Sequence, residues 1–509
     1  MHTYSVSAQS ALNKAHELRR FDAIGLTRTL HGYYYISHYP PLRAQDEVTA
    51  QEAQALLARV DASHGFETYI HFPFCEVLCS FCHFMKELGG QALGQKEELL
   101  LDAVEKEIRM YTRQLGRIDV HSLQLGGGTP SLMSNSGLRR ILDFVDRQFR
   151  FDANAERKIE LFPKRYDKQE LREKLAILKG HGFTDIVIDI ESGNQQSLGR
   201  IGRKITSLDA YVELVGECVD AGFDSIVSAL MMGLPHETME SLEATVRTLI
   251  SMPEVRVINT FPAIMREPDA LIAQYQKHPE WFPNAEERDA MWILARDLFR
   301  QNGYGEGPIS YLHGKAKRPQ QQSDKFECVN LISFGPSAFA YWNGDGWAAQ
   351  CFNYANLPDY YRRIGNDELP LWRAGVMDNN DRARRKLIFG LANCKTEDLE
   401  AIERRFGVSI DQLFGRELNA LFDKGLVRID KAGHGVFYTE DGLSRLEEIS
   451  YFFGSDAINQ RTKSAVSATH PHRVELRKQH YYPVITTEDE RRFKTFVRDY
   501  PQEFMHRLA

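Results

Sequence analysis

The chain has no apolar run approaching the roughly 20 residues that a membrane-spanning helix needs, so a helical membrane span is excluded from the reading. Its first twenty residues, MHTYSVSAQSALNKAHELRR, lack the hydrophobic core of a secretory signal. An excess of one charge is missing too. Against 63 Lys and Arg stand 70 Asp and Glu, a net charge of −7 that gives no general pull toward nucleic acid or an anionic membrane. The expected location is therefore the cytoplasm. Cysteine is scarce, with seven in 509 residues, and in a reducing compartment a cluster of them points to metal ligation rather than disulfides. What remains is an ordinary globular balance, 43% hydrophobic and 26% charged, which excludes wholesale disorder. The length is enough for a large core and two or more domains.

Three of the seven cysteines fall within eight residues. Cys75, Cys79 and Cys82 lie in YIHFPFCEVLCSFCHF (Tyr69–Phe84) with the spacing C-x3-C-x2-C. The preceding ETYIHF alternates and is rich in β-formers, so it reads as a strand ending near Pro73, with the cysteines on the loop beyond it. Three thiolates from one loop can ligate three irons of a 4Fe-4S cluster and leave the fourth iron open to a small molecule. The alternatives are a Cys-Cys-Cys-His zinc site using the adjacent His83, or three coincidental buried thiols. Cys218, Cys328, Cys351 and Cys394 are scattered and read as packing residues.

A regular rhythm follows. A helix over about Lys96–Leu115 leads to a strand in VHSLQLGGGTP. KIELF (Lys158–Phe162), DIVIDI (Asp185–Ile190), DSIVSALM (Asp224–Met231) and VRVINTF (Val255–Phe261) read as further strands, with helices near 169–179, 211–218 and 239–249. Six strands alternating with helices predict a parallel α/β sheet, a partial (β/α)6 barrel whose ligands bind at the strands' C-terminal ends. The glycines of GGGTP allow close backbone approach and offer unshielded polar groups, or else they simply make a tight strand-to-helix turn. No Gly-Lys-Ser/Thr follows, so this is not a phosphate P-loop, and G-x-G-x-x-G is absent there.

Taken together, YIHFPFC with its C-x3-C-x2-C loop, LGGGTPSL, GRIGRK (Gly199–Lys204), GLPHET (Gly233–Thr238) and SFGPSAFAYWNG (Ser333–Gly344) resemble radical S-adenosylmethionine (SAM) enzymes. The nearer resemblance is to the oxygen-independent coproporphyrinogen III oxidase-like branch, over about 33–452. It implies a 4Fe-4S cluster on Cys75, Cys79 and Cys82, with SAM on the open iron cleaved to a 5′-deoxyadenosyl radical. It also implies that Tyr69 contacts the SAM or cluster region, that Phe81 packs near adenine, and that Gly126, Gly127, Gly128 and Thr129 meet the methionine amino group. Glu160 and Arg203 match polar positions around SAM. Read without the resemblance, Glu160 is an edge-strand surface charge and Arg203 a helix-end cation. An external electron donor such as flavodoxin or ferredoxin, a small-molecule substrate and no nucleic-acid partner complete the expectation.

The sequence departs from the oxidase pattern at three positions. Phe84 stands where those oxidases carry a further cysteine, Glu191 where the branch often has Gln, and Ala229 where an Asp is usual. Both Glu191 and Ala229 bear on how one or two SAM molecules are held. The leading expectation is accordingly a two-SAM C-methylation or cyclopropanation of a small specialised metabolite. A tetrapyrrole-acting enzyme, oxidative decarboxylase or haem-degrading methyltransferase, is the second. A haem chaperone without turnover is the third, with His71, Cys328 or the His470/His472 pair as candidate ligands. The expected layout is an N-terminal arm (1–62), the barrel (63–300), an extension and connector (301–380), a helical winged-helix-like domain (381–453) and a tail (454–509). The tail is expected to wrap the core or to cover the barrel's open side, with a helix starting near Thr487.

Overall fold

Alternation within the strands decides the architecture. In the computed structural model, which describes residues 4–24, 26, 38–82, 84–265, 270–307, 311–314, 328–430, 435–467 and 500–508, six parallel strands form the centre of one sheet. They are β1 (Phe66–Phe72), β2 (Ile118–Gly127), β3 (Phe149–Glu160), β4 (Asp185–Val187), β5 (Ile226–Met232) and β6 (Val255–Pro262). They pair in chain order, each parallel to the last. Phe66, Ile70 and Phe72 of β1 and Leu123 and Leu125 of β2 enter the main core on one face, as do Ile186, Ile188 and Ile190. Helices cover that face: α1 (Leu93–Leu115), α2 (Asn135–Gln148), α3 (Lys168–Gly180), α4 (Leu208–Asp220) and α5 (Met239–Ile250). Each of the last four starts on a side-chain cap: Ser134, Asp167, Ser207 and Thr238. The alternate residues, Glu67, Tyr69 and His71 of β1 with Ser122 and Gln124 of β2, face the other way and make the inner surface polar.

The six expected strands and their helices are present, with two boundary differences. The third strand begins nine residues earlier than expected, at Phe149, and runs through the polar stretch RFDANAER. The fourth leaves the regular ladder after Val187, and Glu191, at φ 63°, makes only an isolated bridge to Leu230. A left-handed non-glycine residue is strained, and such strain clusters at functional sites.

The sheet is open, and it is wider than the sequence rhythm indicated. Beyond β6 lies the antiparallel strand β7 (Tyr311–His313), and beyond β1 the parallel strand β8 (Leu331–Phe334). From β8 an antiparallel meander continues through β9 (Phe339–Gly344), β10 (Trp347–Asn353) and β11 (Leu371–Met377). The chain then turns into α6 (Asn379–Ala392), α7 (Leu399–Phe406) and α8 (Ile410–Asp423). A small sheet of Glu397–Asp398, Gly435–Tyr438 and Val427–Ile429 follows, the helices-then-hairpin order expected there.

The described parts of the tail pack on the arm and on α8. Arg461 pairs with Asp46, and Tyr39 Oη donates to Ser455 Oγ at 3.4 Å. At the end of the chain Phe504 is fully buried, with its N–H donating to Asp411 Oδ1 at 2.7 Å. The helix expected near Thr487 and the His470/His472 pair lie outside the described residues. Among the described residues no helix is long and apolar enough to cross a membrane.

Candidate active site

β1 ends at Phe72, and the cysteine loop leaves it at the C-terminal edge of the sheet, beside the glycine loop that leaves β2. Hydrogen bonds join the two loops. Gly128 N–H donates to Phe72 O at 2.6 Å and Thr129 N–H to Phe74 O at 2.8 Å. A Cβ on Gly128 would lie 2.6 Å from Phe74 O and 2.8 Å from the Pro73 carbonyl carbon, so only glycine allows this approach. A Cβ on Gly126 would reach Glu160 Oε1 at 2.5 Å and Tyr69 Cε2 at 3.0 Å, and Gly127, at φ 112°, lies against the His71 ring. The glycines therefore do more than turn the chain. They bring β2 into contact with the cysteine loop, Tyr69 and Glu160.

All three cysteines are free, Cys75 buried and Cys79 and Cys82 half-buried. Burial first, then the neighbouring Cys82 and Cys79, push the Cys75 thiol up to about 12, and burial raises Cys82. Lys86 and the hydroxyl of Thr129 act the other way, Lys86 on both thiols and Thr129 on Cys75. The thiols thus sense one another and a local cation. Among the described residues no three His, Cys, Asp or Glu gather around a single-ion site, and His83 lies outside them. The GRIGRK loop braces the cysteine loop from the far side. Ser80 N–H donates to Ile201 O at 3.0 Å, and Gly202, at φ 89°, sits where a Cβ would meet Leu78 O at 2.8 Å.

Arg203 is the cation of this recess. Its buried guanidinium donates to Asp189 O and, at 3.0 Å, to Glu191 Oε1, and it hydrogen-bonds Cys79. The same guanidinium lies 5.7 Å from the Phe81 ring and 5.2 Å from the Phe162 ring. It is a buried ion-pair member rather than a solvated helix-end charge. Glu160 ends an interior strand, not an edge, and accepts from Gln124 Nε2 at 2.9 Å. Its carboxyl is pushed up to about 7 by burial and then by Asp189. Burial likewise holds Asp189 up at about 6 and Glu191 at about 7, opposed by Arg203. Tyr69 stands over the recess, its hydroxyl 2.9 Å from His71 Nδ1. Burial brings His71 down to about 4, so it is neutral at pH 7.

Two carboxyl groups, of Asp189 and Glu191, therefore share one guanidinium, with the Glu160 carboxyl raised beside Asp189, and both Glu191 Oε2 and Arg203 Nε are buried without a hydrogen-bond partner among the described residues. Such a recess favours a cationic ligand that also offers acceptors. SAM, with its sulfonium, ammonium and carboxylate, has that chemistry, and three separate thiols beside it fit a cluster with one iron unligated by protein. Sequence reasoning did not single out Asp189 or Gln124. Asp189 was visible as the residue sharing a strand face with Glu191.

Known proteins resemble the chain over most of its length. The radical SAM superfamily profile matches residues 69–249. The haem chaperone HemW of Bacillus subtilis is 24% identical over 375 residues, 74% of this chain and 95% of that protein. An oxygen-independent coproporphyrinogen III oxidase of Salmonella typhimurium is 26% identical over 383 residues, 72% of this chain and 80% of that protein. The solved coproporphyrinogen III oxidase HemN of Escherichia coli shares the fold with a TM-score of 0.70 at 22% identity, over 81% of this chain and 95% of that one. The cofactors of the matched superfamily are the 4Fe-4S cluster and SAM named by the sequence resemblance. Residues 69–249 thus make up a radical SAM domain, in a chain similar along most of its length to oxygen-independent coproporphyrinogen III oxidases and to HemW.

Proposed function

We propose that the chain is an enzyme acting by hydrogen abstraction on a tetrapyrrole bound on the polar inner face of the sheet, beside Tyr69. The observation that carries the radical chemistry is the acidic recess with the buried guanidinium of Arg203, walled by the thiol loop and the triple-glycine loop. When bound, the cluster and SAM supply a carbon radical strong enough to remove hydrogen from an unactivated position. Cys75, Cys79 and Cys82 hold the cluster. Gly126 to Thr129 offer backbone groups to the methionine part, Arg203 and Glu191 fix its charged ends, and Glu160 and Tyr69 line the path to the substrate. Phe81 flanks the adenine side.

The tetrapyrrole reading draws on two supports. The relatives are named for coproporphyrinogen oxidation and haem handling, and the likeness extends far beyond the barrel. A broad aromatic face also continues from Tyr69 to Phe339, ring centroids 6.2 Å apart, and on to Tyr341 and Phe352 at 5.9 and 6.0 Å. Methyl transfer or cyclopropanation is the second reading. It rests on Glu191, which is committed to Arg203, and on Phe84, exposed where the oxidases carry a cysteine. The external electron donor would approach the cysteine loop, where Leu78 and Phe84 are 48% and 53% exposed.

The test is anaerobic reconstitution with iron and sulfide, then SAM and a reductant, reading 5′-deoxyadenosine and S-adenosylhomocysteine in wild type and Cys79→Ala. Deoxyadenosine that disappears in the variant is the expected result. S-adenosylhomocysteine beside it would move the assignment to methyl transfer. Haem binding with neither product would replace the enzyme with a carrier.

A further inference from the structure

Arg385 lies on α6 and is one of the largest fully buried side chains, 1% exposed. Its guanidinium carbon stands 4.3 Å from the Tyr341 ring centroid and 5.3 Å from that of Phe389. Nε and Nη2 have no hydrogen-bond acceptor, and no carboxylate pairs with the group among the described residues. The acids nearby in sequence are engaged elsewhere. Asp381 accepts from Tyr39 Oη at 2.7 Å, Asp378 caps α6, and Glu397 pairs with Lys386. A second cation, Arg382, lies one turn back, hydrogen-bonded among the described residues to the neutral Asn379, within electrostatic reach of Asp345 and stacked 5.1 Å over Phe406. Stacking on two rings offsets only part of what desolvating an unpaired guanidinium costs. A cation kept at that cost, beside another cation, is incomplete without an anion.

Its place in the fold says which anion. Tyr341 and Phe339 point to the same face of β9, and Phe339 stacks against Tyr69. Arg385 is therefore three ring contacts along one face from the residue that stands over the recess. Gln350 lies directly across from Tyr341 on β10. It is fully buried, with Nε2 2.7 Å from His38 Nδ1 and Oε1 unpartnered. This is a second buried polar group without its complement on the same face.

We propose that Arg385 is the anchor for a carboxylate of the substrate, holding it by a charge-assisted hydrogen bond over the Tyr341 ring while the body of the substrate extends along β9 toward Tyr69. The assignment rests on the substrate face proposed above, and it narrows the substrate to an acid. A planar guanidinium with two buried nitrogens lacking an acceptor suits the two oxygens of a carboxylate.

The experiment uses the reconstituted full chain and two fluorescent probes, coproporphyrin III and its tetramethyl ester, which differ in the carboxylates. Wild type is expected to prefer the free acid, and Arg385→Met to lose about thirtyfold or more of that affinity while ester binding stays level. Arg385→Gln is the second variant should the first fold poorly. Neither substitution should lower the melting temperature, because no protein hydrogen bond is lost and an unpaired buried charge is removed. Equal binding of acid and ester by wild type, binding of neither, or a lowered melting temperature with unchanged affinity would each overturn the anchor. Deoxyadenosine formation by the same wild-type preparation is read separately, so a failure of the radical reading is not mistaken for a failure of the anchor.

Discussion

Replacing Gly128 by Ala tests the contact on which the site is built. The backbone φ there is not in the left-handed region, so the effect comes from space alone. The added methyl would lie 2.6 Å from Phe74 O, 2.8 Å from the Pro73 carbonyl carbon and 2.9 Å from Phe72 O, all backbone atoms without a rotamer to yield. Ordinary contact begins at 3.4 Å, so the loops must part by nearly an ångström. Overpacking of this kind costs about 1–3 kcal/mol. The separation also stretches the two loop hydrogen bonds, Gly128 N–H to Phe72 O and Thr129 N–H to Phe74 O, at about 1 kcal/mol each. The expected loss is about 3–5 kcal/mol, concentrated where Cys75 is held, so reconstituted iron per chain should fall along with the urea midpoint. Gly216→Ala is the control. It lies inside α4 with open space around its Cβ position, and should stabilise by about 0.5–1 kcal/mol with iron unchanged. Full iron and an unmoved midpoint in Gly128→Ala would refute the argument that the glycines exist for close approach.

Glu107, fully buried, accepts from Gly335 N–H, Asn353 Nδ2 and Tyr360 Oη at 2.7–2.8 Å, yet burial outweighs them and pushes its carboxyl from 4.5 up to about 7. Between those values the unfolded chain has released the proton and the native chain still holds it. Stability therefore falls as pH rises through the window, by about 3 kcal/mol at its upper end. In urea unfolding, the stability of wild type minus that of Glu107→Gln should fall as pH rises from 5 to 7.5, and a difference independent of pH would refute it. Phe504→Ala should cost about 3 kcal/mol by emptying the contact that ties the chain's end to Phe422 on α8, seen as an earlier thermal transition. An unchanged transition would mean that this segment adds nothing to the C-terminal helices.

The rhythm of strands and helices was legible because each strand carries its own alternation and each helix its own cap and stripe. The β8–β11 meander is outside the strand–helix rhythm, although LISF, FAYWNG and WAAQCFN are good strand sequences and Gly344-Asp345-Gly346 is a hairpin signal. Its attachment to β1 joins residues more than 250 positions apart, which no local pattern records. The early start of β3 at Phe149 has the same origin. A polar stretch pairs only because β2 is there to pair with.

For the site, the sequence alone determined the ligand chemistry. Three thiols at C-x3-C-x2-C beside a triple glycine carry it in their spacing, because neighbours on one loop stay neighbours in any fold. What only the tertiary structure decided is charge. Arg203 and Glu160 match polar positions around SAM by resemblance, and each has an ordinary solvated alternative. Folding places them with Asp189 and Glu191 where water is excluded, and there one guanidinium must serve both Asp189 and Glu191 while Glu160 is raised beside them. Arg385 is the same lesson on the substrate side. In the sequence it is one basic residue in the run DRARRK, and only burial over Tyr341 leaves its charge in need of an answer. Electrostatic energy depends on distance and dielectric, and both are properties of the fold rather than of the chain.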